Sequence, residues 1–323
     1  METNPYFQTR GVVIYPGDLT LQDWPERAAR AGLTTVALHD GSEPSKVATF
    51  LRTEAGQRFL DDCGRLGLQV EFELHAMLEL LPRRLFDANP ELFRQNEVGE
   101  HTPDANLCVH SPRALEIVAE NTVALSQELR STTGRYFLWG DDGRGWCRCS
   151  ACRGLSDSDQ SLLLTNRLLD ALRTVDSRAT IAHLAYLNTL WPPKQIRPKP
   201  GVFLEYAPIR RRYNIPYAQQ VGADIVEPLT ALDANLEWFG QEGAQALEYW
   251  LDVSRFSGWK RLTTRLPWNR EVFQADLDAY GGRGVRHITT FAAHIDADYV
   301  AYFGEPPLPE YGALLRDWPL LSG

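Results

Sequence analysis

With 323 residues, 44% of them hydrophobic and 23% charged, the chain is long enough for one large core and has the composition of a globular protein. A formal charge of −9 excludes the basic footprint of a nucleic-acid binder, and no run approaches the ~20 apolar residues of a membrane helix. Met1-Glu2-Thr3-Asn4-Pro5 has neither the basic nor the apolar region of a secretory leader, and three of the five cysteines crowd into residues 147–152, too close for all to pair; both features predict a cytoplasmic protein.

In chain order, short β-branched or aromatic runs alternate with helical patterns. The runs are Gly11–Tyr15, Thr35–His39, Val70–His75, Tyr136–Trp139, Thr180–Leu184, Val202–Tyr206, Ala246–Trp250 and His287–Phe291. Between them Leu115, Val118, Leu125 and Leu129 share one helical face, as do Leu162, Leu168, Leu169 and Leu172. Ala31-Gly32, Leu66-Gly67 and Arg283-Gly284 are helix stops ahead of the second, third and eighth runs. Strands alternating with helices imply parallel pairing, and eight such units predict an α/β fold, a single (β/α)8 TIM barrel over residues 1–323. An open doubly wound sheet is the alternative, but no Gly-x-Gly-x-x-Gly follows the first run. Two connections depart from the ideal: a long insertion after strand three, residues 76–112, and an irregular, proline-rich link between strands five and six, residues 187–200.

Such barrels carry their chemistry at the C-terminal ends of the strands. The residues there are Tyr15; His39 and Asp40; Glu73 and His75; Trp139, Asp141 and Asp142; Tyr186 and Asn188; Glu205, Tyr206 and Arg210; Glu248, Trp250 and Asp252; and His294. An aromatic and acidic rim suits a carbohydrate partner. Trp and Tyr faces stack on pyranose C–H surfaces, carboxylates bind hydroxyls, and a carboxyl pair runs acid–base chemistry at a glycosidic bond. Asp142, Asp141, Glu205 and Asp252 are the candidate catalytic acids. His39, His75, Trp139, Tyr186, Tyr206, Arg210, Trp250 and His294 are the candidate sugar-binding groups. Glu71 and Glu248 lie deeper in their strands and are expected to pair with Arg or Lys inside the barrel, and His183 reads as a structural histidine. Arg210-Arg211-Arg212 reads as a solvated face or a local anion clamp.

The segment from Trp139 to Cys147 is the most specific. Adjacent carboxylates at a strand end, followed by glycines, put acid where backbone approaches a ligand, and strand geometry turns only one of Asp141 and Asp142 to the centre. Cys147-x-Cys149-x-x-Cys152 then offers three soft ligands. Tetrahedral zinc needs a fourth, for which Cys108 or His110, in the loop entering the third helix, is placed. A closed site of that kind is structural, leaving catalysis without a required cofactor; three reduced, packed thiols are the other reading.

The run Asp142-Gly143-Arg144-Gly145-Trp146-Cys147-Arg148-Cys149-Ser150-Ala151-Cys152, with Ser158-Asp159 and Asn166 in the following helix, resembles domain-of-unknown-function family 4838. Ala185-Tyr186, Tyr206-Ala207-Pro208-Ile209-Arg210 and Phe303-Gly304-Glu305-Pro306-Pro307 are similar too. Part of that family is classed as glycoside hydrolase family 163, endo-acting β-N-acetylglucosaminidases on N-glycans, akin to family 20 hexosaminidases and family 67 glucuronidases. The resemblance implies a retaining glycosidase in which Asp142 is the general acid and Asp141 orients the acetamide of an N-acetylated sugar. One departure stands out: the hexosaminidase-like pair is Asp-Glu, here Asp-Asp, and a side chain one methylene shorter falls ~1 Å short of the glycosidic oxygen, worth ~10²-fold in rate.

Three functions therefore compete. The first is a glycoside hydrolase. The second is a metal-dependent sugar isomerase or epimerase holding a divalent cation with Glu73, His75, Glu205 and Asp252, although no His-x-x-Glu spacing occurs. The third is a carbohydrate-binding barrel without chemistry.

Overall fold

The computed structural model describes residues 5–222, 227–261 and 263–318, in which eight parallel strands close on themselves. They are β1 (Thr9–Ile14), β2 (Thr35–Leu38), β3 (Gln69–His75), β4 (Arg135–Trp139), β5 (Thr180–Ala185), β6 (Val202–Tyr206), β7 (Gln245–Glu248) and β8 (His287–Phe291). Each pairs with its neighbours in sequence, and β1 returns to β8 from Thr9↔His287 to Val13↔Phe291. The fold is thus the (β/α)8 barrel and not the open sheet.

Because helices cover the outer face, these strands are buried on both sides and read as nearly continuous apolar runs. Alternate positions sort into two cores. Val13, Ala37, Phe137, Ala182, Phe203, Leu247 and Phe291 fill the barrel. Val12, Val36, Leu138, Ile181, Leu204, Ala246 and Ile288 meet the helices.

The barrel also has a polar floor. Arg135 lies 4.0 Å over the Phe203 ring, donates to Gln245 at 2.9 Å and brings its Nε to 3.7 Å from Glu71. Gln245 Nε2 donates in turn to Glu205 at 3.1 Å and Glu73 at 3.3 Å. Burial raises all three carboxyls, Glu205 to about 8, with Arg135 pulling each of them the other way. Glu71 thus has the arginine partner inside the barrel that its depth suggests. Glu248 finds its arginine elsewhere: it faces outward among the helices, with Arg211 Nε at 3.0 Å and the Tyr213 hydroxyl at 3.0 Å.

His183 on β5, between the inward-facing Ala182 and Leu184, also faces outward. It stacks on Phe239 at 5.0 Å, and neither ring nitrogen has a hydrogen-bond partner among the described residues. Burial lowers its pKa from 6.5 to about 3, so the folded protein keeps it neutral. His183→Leu should therefore stabilise the fold by about 1 kcal/mol, read as a higher urea midpoint. The margin should widen as pH falls from 6.5 toward 3, where the unfolded chain binds a proton that the folded chain refuses. An unchanged or lower midpoint would show that the ring is satisfied.

The two irregular connections are held by side chains. Residues 76–112 form the short turns Met77–Leu80, Arg83–Leu85 and Pro90–Leu92 and a Gln95↔His101 bridge before the helix Pro112–Glu128. The link 187–200 is gripped by the helix Asp157–Leu172. Asp159 Oδ1 accepts the amides of Lys194, Gln195 and Ile196 at 3.0, 2.8 and 2.9 Å, and Asn166 Oδ1 accepts that of Lys199 at 2.9 Å. Among the described residues no helix is long and apolar enough to cross a membrane.

Candidate active site

At the C-terminal mouth the inward side chains line a cavity of about 190 Å³. They are Tyr15 after β1, His39 after β2, His75 on β3, Trp139 on β4, Tyr186 after β5, Ala207 and Ile209 after β6, Tyr249 after β7 and Phe291 on β8. The rings of Tyr249 and Phe291 stack 5.3 Å apart at 19° and make one wall. His39 lies edge-on to Phe291 at 5.1 Å and to Tyr15 at 5.3 Å. Trp259, 68% exposed, stands at the rim.

Among the described residues two carboxyls line this cavity, Asp142 from the loop after β4 and Asp252 from the loop after β7. Asp142 is 56% exposed, with Oδ1 3.9 Å from His75 Nε2 and the Tyr186 phenol beside it. Glycines shape its loop. A Cβ on Gly140 would meet Asn106 Oδ1 and Trp146 Cζ2 at 2.9 Å, and Gly143 takes φ +58 with Leu187 2.7 Å from where its Cβ would be.

Asp252 is buried. Its Oδ1 accepts the Ser254 hydroxyl at 2.6 Å and the Arg255 amide at 3.2 Å, capping the turn Val253–Phe256, while Oδ2 takes neither bond. Burial pushes this carboxyl up to about 6 against the pull of those donors.

The histidines are fixed as neutral tautomers. His39 Nδ1 lies 2.6 Å from the Glu73 carbonyl and His75 Nδ1 lies 2.6 Å from the Gly140 carbonyl. A carbonyl only accepts, so each Nδ1 carries the proton and each Nε2 is left as an acceptor. Burial lowers both pKa values, that of His39 to about 4 with the neighbouring His75 adding to the effect. Burial also raises Tyr15 and Tyr186, which stay hydroxyl donors. The mouth thus offers acceptors, donors and apolar rings around two acids.

Asp141 turns the other way. Its side chain is 8% exposed, and Oδ2 accepts Arg83 Nη2 at 2.5 Å and the Asn106 amide at 2.5 Å. The Asp141 amide donates back to Asn106 Oδ1 at 2.9 Å, so this carboxylate ties the β4 loop to the insertion after β3. Arg83→Met leaves it half-partnered and should destabilise the fold by about 2 kcal/mol. Asp141→Asn in the same chain should recover part of that loss in a urea double-mutant cycle. Additive losses would show the pair to be uncoupled.

The remaining candidates are dispersed. Glu205 lies beneath the cavity, accepting Trp139 Nε1 at 2.8 Å, and Glu73 shares that floor. Tyr206 and Trp250 face the helices, the first with its hydroxyl 2.8 Å from that of Tyr217, the second donating to Asp276 at 2.9 Å. Arg210 is exposed and lines a separate outer cleft with Arg211 and Arg212. His294 sits behind Tyr15, ring centroids 6.3 Å apart, and its amide donates to Asp18 at 3.1 Å. Asn188 ties the Arg144 carbonyl at 2.9 Å. Glu73, His75, Glu205 and Asp252 do not converge as ligands; among the described residues the group that does is Cys108, Cys147, Cys149 and Cys152, with sulfurs within 4.8 Å of one another. Sequence reasoning passed over Tyr249, Ile209, Ser254, Trp259 and Phe291. Tyr249 and Phe291 were accessible through strand parity, Trp259 through its Gly258-Trp259 loop.

A family model described as "Domain of unknown function (DUF4838)" matches residues 18–236. No curated protein sequence is detectably similar. Among solved structures, the β-N-acetylhexosaminidase of Bacteroides fragilis NCTC 9343 superimposes with a TM-score of 0.59 at 13% identity, over 96% of this chain and 66% of that one. The β-galactosidase of the psychrophilic Marinomonas ef1 gives 0.54 at 12%, over 98% and 60%. A tri-modular GH5 endo-β-1,4-glucanase of Bacillus licheniformis gives 0.55 at 9%, over 95% and 59%. This chain therefore spans less than two thirds of the length of each, and at such identities the likeness is one of fold.

Proposed function

The chain belongs to the DUF4838 family, and on that premise we propose that it is a glycoside hydrolase with Asp142 as general acid/base and Asp252 as the second carboxyl. The observation that carries this reading is the pairing of those two acids, delivered from β4 and β7, in one aromatic-walled cavity. Asp142 protonates the departing glycosidic oxygen as the bond to the anomeric carbon breaks. Asp252, held by Ser254 and Arg255, opposes the positive charge at the anomeric carbon and forms a glycosyl ester through Oδ2. Water then attacks that ester, giving its proton to Asp142, and the product keeps the anomeric configuration. His39 and His75 accept sugar hydroxyl protons at Nε2, Tyr15 and Tyr186 donate, and the Tyr249–Phe291 wall takes the apolar sugar face.

The test is release of aryl alcohol from a panel of aryl glycosides, N-acetylglucosaminides included, with the first-formed anomer followed by NMR. Turnover with retention is expected. Binding across the panel without turnover would favour a carbohydrate-binding barrel. Activity abolished by chelation and restored by Mn²⁺ would favour a sugar isomerase.

A further inference from the structure

The insertion after β3 and the loop after β4 meet at four cysteines. Cys108 Sγ lies 3.8 Å from both Cys149 and Cys152, and all four sulfurs, Cys147 included, fall within 4.8 Å of one another. None is in a disulfide, which would need sulfurs about 2.05 Å apart. A tetrahedral zinc with bonds of about 2.3 Å sets its sulfurs about 3.8 Å apart. Packed thiols have no reason to bring four sulfurs from two separate segments within 4.8 Å of one another.

The surroundings suit thiolate. The Gln95 amide donates to Cys147 at 3.3 Å, and His110 Nδ1 lies 3.2 Å from Cys152 Sγ. At that distance His110 is a hydrogen-bonding neighbour of a ligand, which settles the choice between it and Cys108 for the fourth position. Four thiolates around a divalent ion leave two negative charges. The buried Arg94, whose Nη1 has no hydrogen-bond partner among the described residues, stands within electrostatic reach of Cys147.

We propose that Cys108, Cys147, Cys149 and Cys152 bind one zinc ion that staples the loop carrying Asp142 to the insertion after β3. As each Sγ–Zn bond forms, the thiol proton passes to solvent. With four protein ligands the ion has no open position, so it is structural. This assignment is independent of the hydrolase reading, because its readouts are metal content and spectrum.

The experiment is metal analysis of the purified full chain, followed by chelator stripping and titration with Co²⁺. About one equivalent of zinc is expected in the wild type, with thiolate-to-cobalt charge-transfer and tetrahedral d–d bands after exchange. Cys149→Ser and Cys108→Ser should each hold less than a tenth of the wild-type zinc, and His110→Ala should hold the full amount. If a serine variant fails to fold, the cobalt spectrum of the stripped wild type carries the same information. Zinc below a tenth of an equivalent with no cobalt spectrum would overturn the site. Metal that survives Cys108→Ser but leaves with His110→Ala would overturn the ligand set, and iron in its place would overturn the ion.

Discussion

Asp142→Asn is expected to lower kcat/KM on an alkyl glycoside by roughly 10²- to 10⁴-fold with the fold intact. Asparagine fills the same space and leaves the Gly140 and Gly143 backbone undisturbed, but it has no proton to give. The loss should depend on the leaving group. A dinitrophenyl glycoside departs as a stable phenolate and needs little protonation, so its first step should be nearly unaffected. Equal losses on both substrates would make Asp142 a binding group, and full activity on the alkyl glycoside would remove it from the reaction.

The proposed reading distributes the roles differently from the family resemblance. A neighbour that orients an acetamide needs a free carboxylate facing the sugar, and Asp141 is neither free nor facing it. Arg83 and the Asn106 amide hold Oδ2 on the far side of the loop. The Asp-Asp pair is therefore one acid at the cavity and one brace behind it. A shorter acid at position 142 is offset only if the loop itself stands closer to the sugar, and the closeness of Gly140 to Asn106 and Trp146 and of Gly143 to Leu187 is the feature that fixes where the loop stands.

The barrel was legible because its signal is periodic: eight apolar runs separated by helices admit few closures. The cysteine group was legible in part, since the spacing of 147, 149 and 152 brings three thiols together locally while Cys108 arrives from the insertion. The cavity was harder to read, because being near a strand end does not say which face a residue takes. With Leu247 inside the barrel, parity along the extended chain puts Tyr249 inside and Trp250 outside; with Phe203 and Glu205 inside, it puts Tyr206 outside. Depth was the second hidden variable. Glu205 has the right parity but lies below Trp139, whose Nε1 it accepts at 2.8 Å. Parity fails after β4: with Phe137 and Trp139 inside it would turn Asp141 inward, yet Arg83 and the Asn106 amide hold Asp141 away and Asp142 lines the cavity. Asp252 follows the end of β7 by several residues, where the chain has left the strand and its alternation.

Asp252 gives the sharpest pH signature. In the proposed reaction Asp252 opposes charge at the anomeric carbon and must be ionised, and burial has raised its pKa to about 6. The ionised fraction falls as pH drops through that value, so log kcat/KM on the dinitrophenyl glycoside, which needs little acid assistance, should fall with unit slope below about pH 6 and flatten above it. An ordinary exposed aspartate would place that limb near pH 4. Removing a capping donor weakens the hold on the charged form, so Ser254→Ala should move the limb upward. Asp252→Asn should lower kcat/KM by roughly 10³-fold and leave no ionising second carboxyl, which azide should partly rescue as an external nucleophile, giving a glycosyl azide of inverted configuration. Asp18, raised by burial to about 7, is the competing source of an acid limb, because it underlies Tyr15 and His294. Asp18→Asn separates the two: a limb that survives it and responds to Ser254→Ala belongs to Asp252, whereas a limb that vanishes with Asp18 would leave Asp252 without its assigned charge.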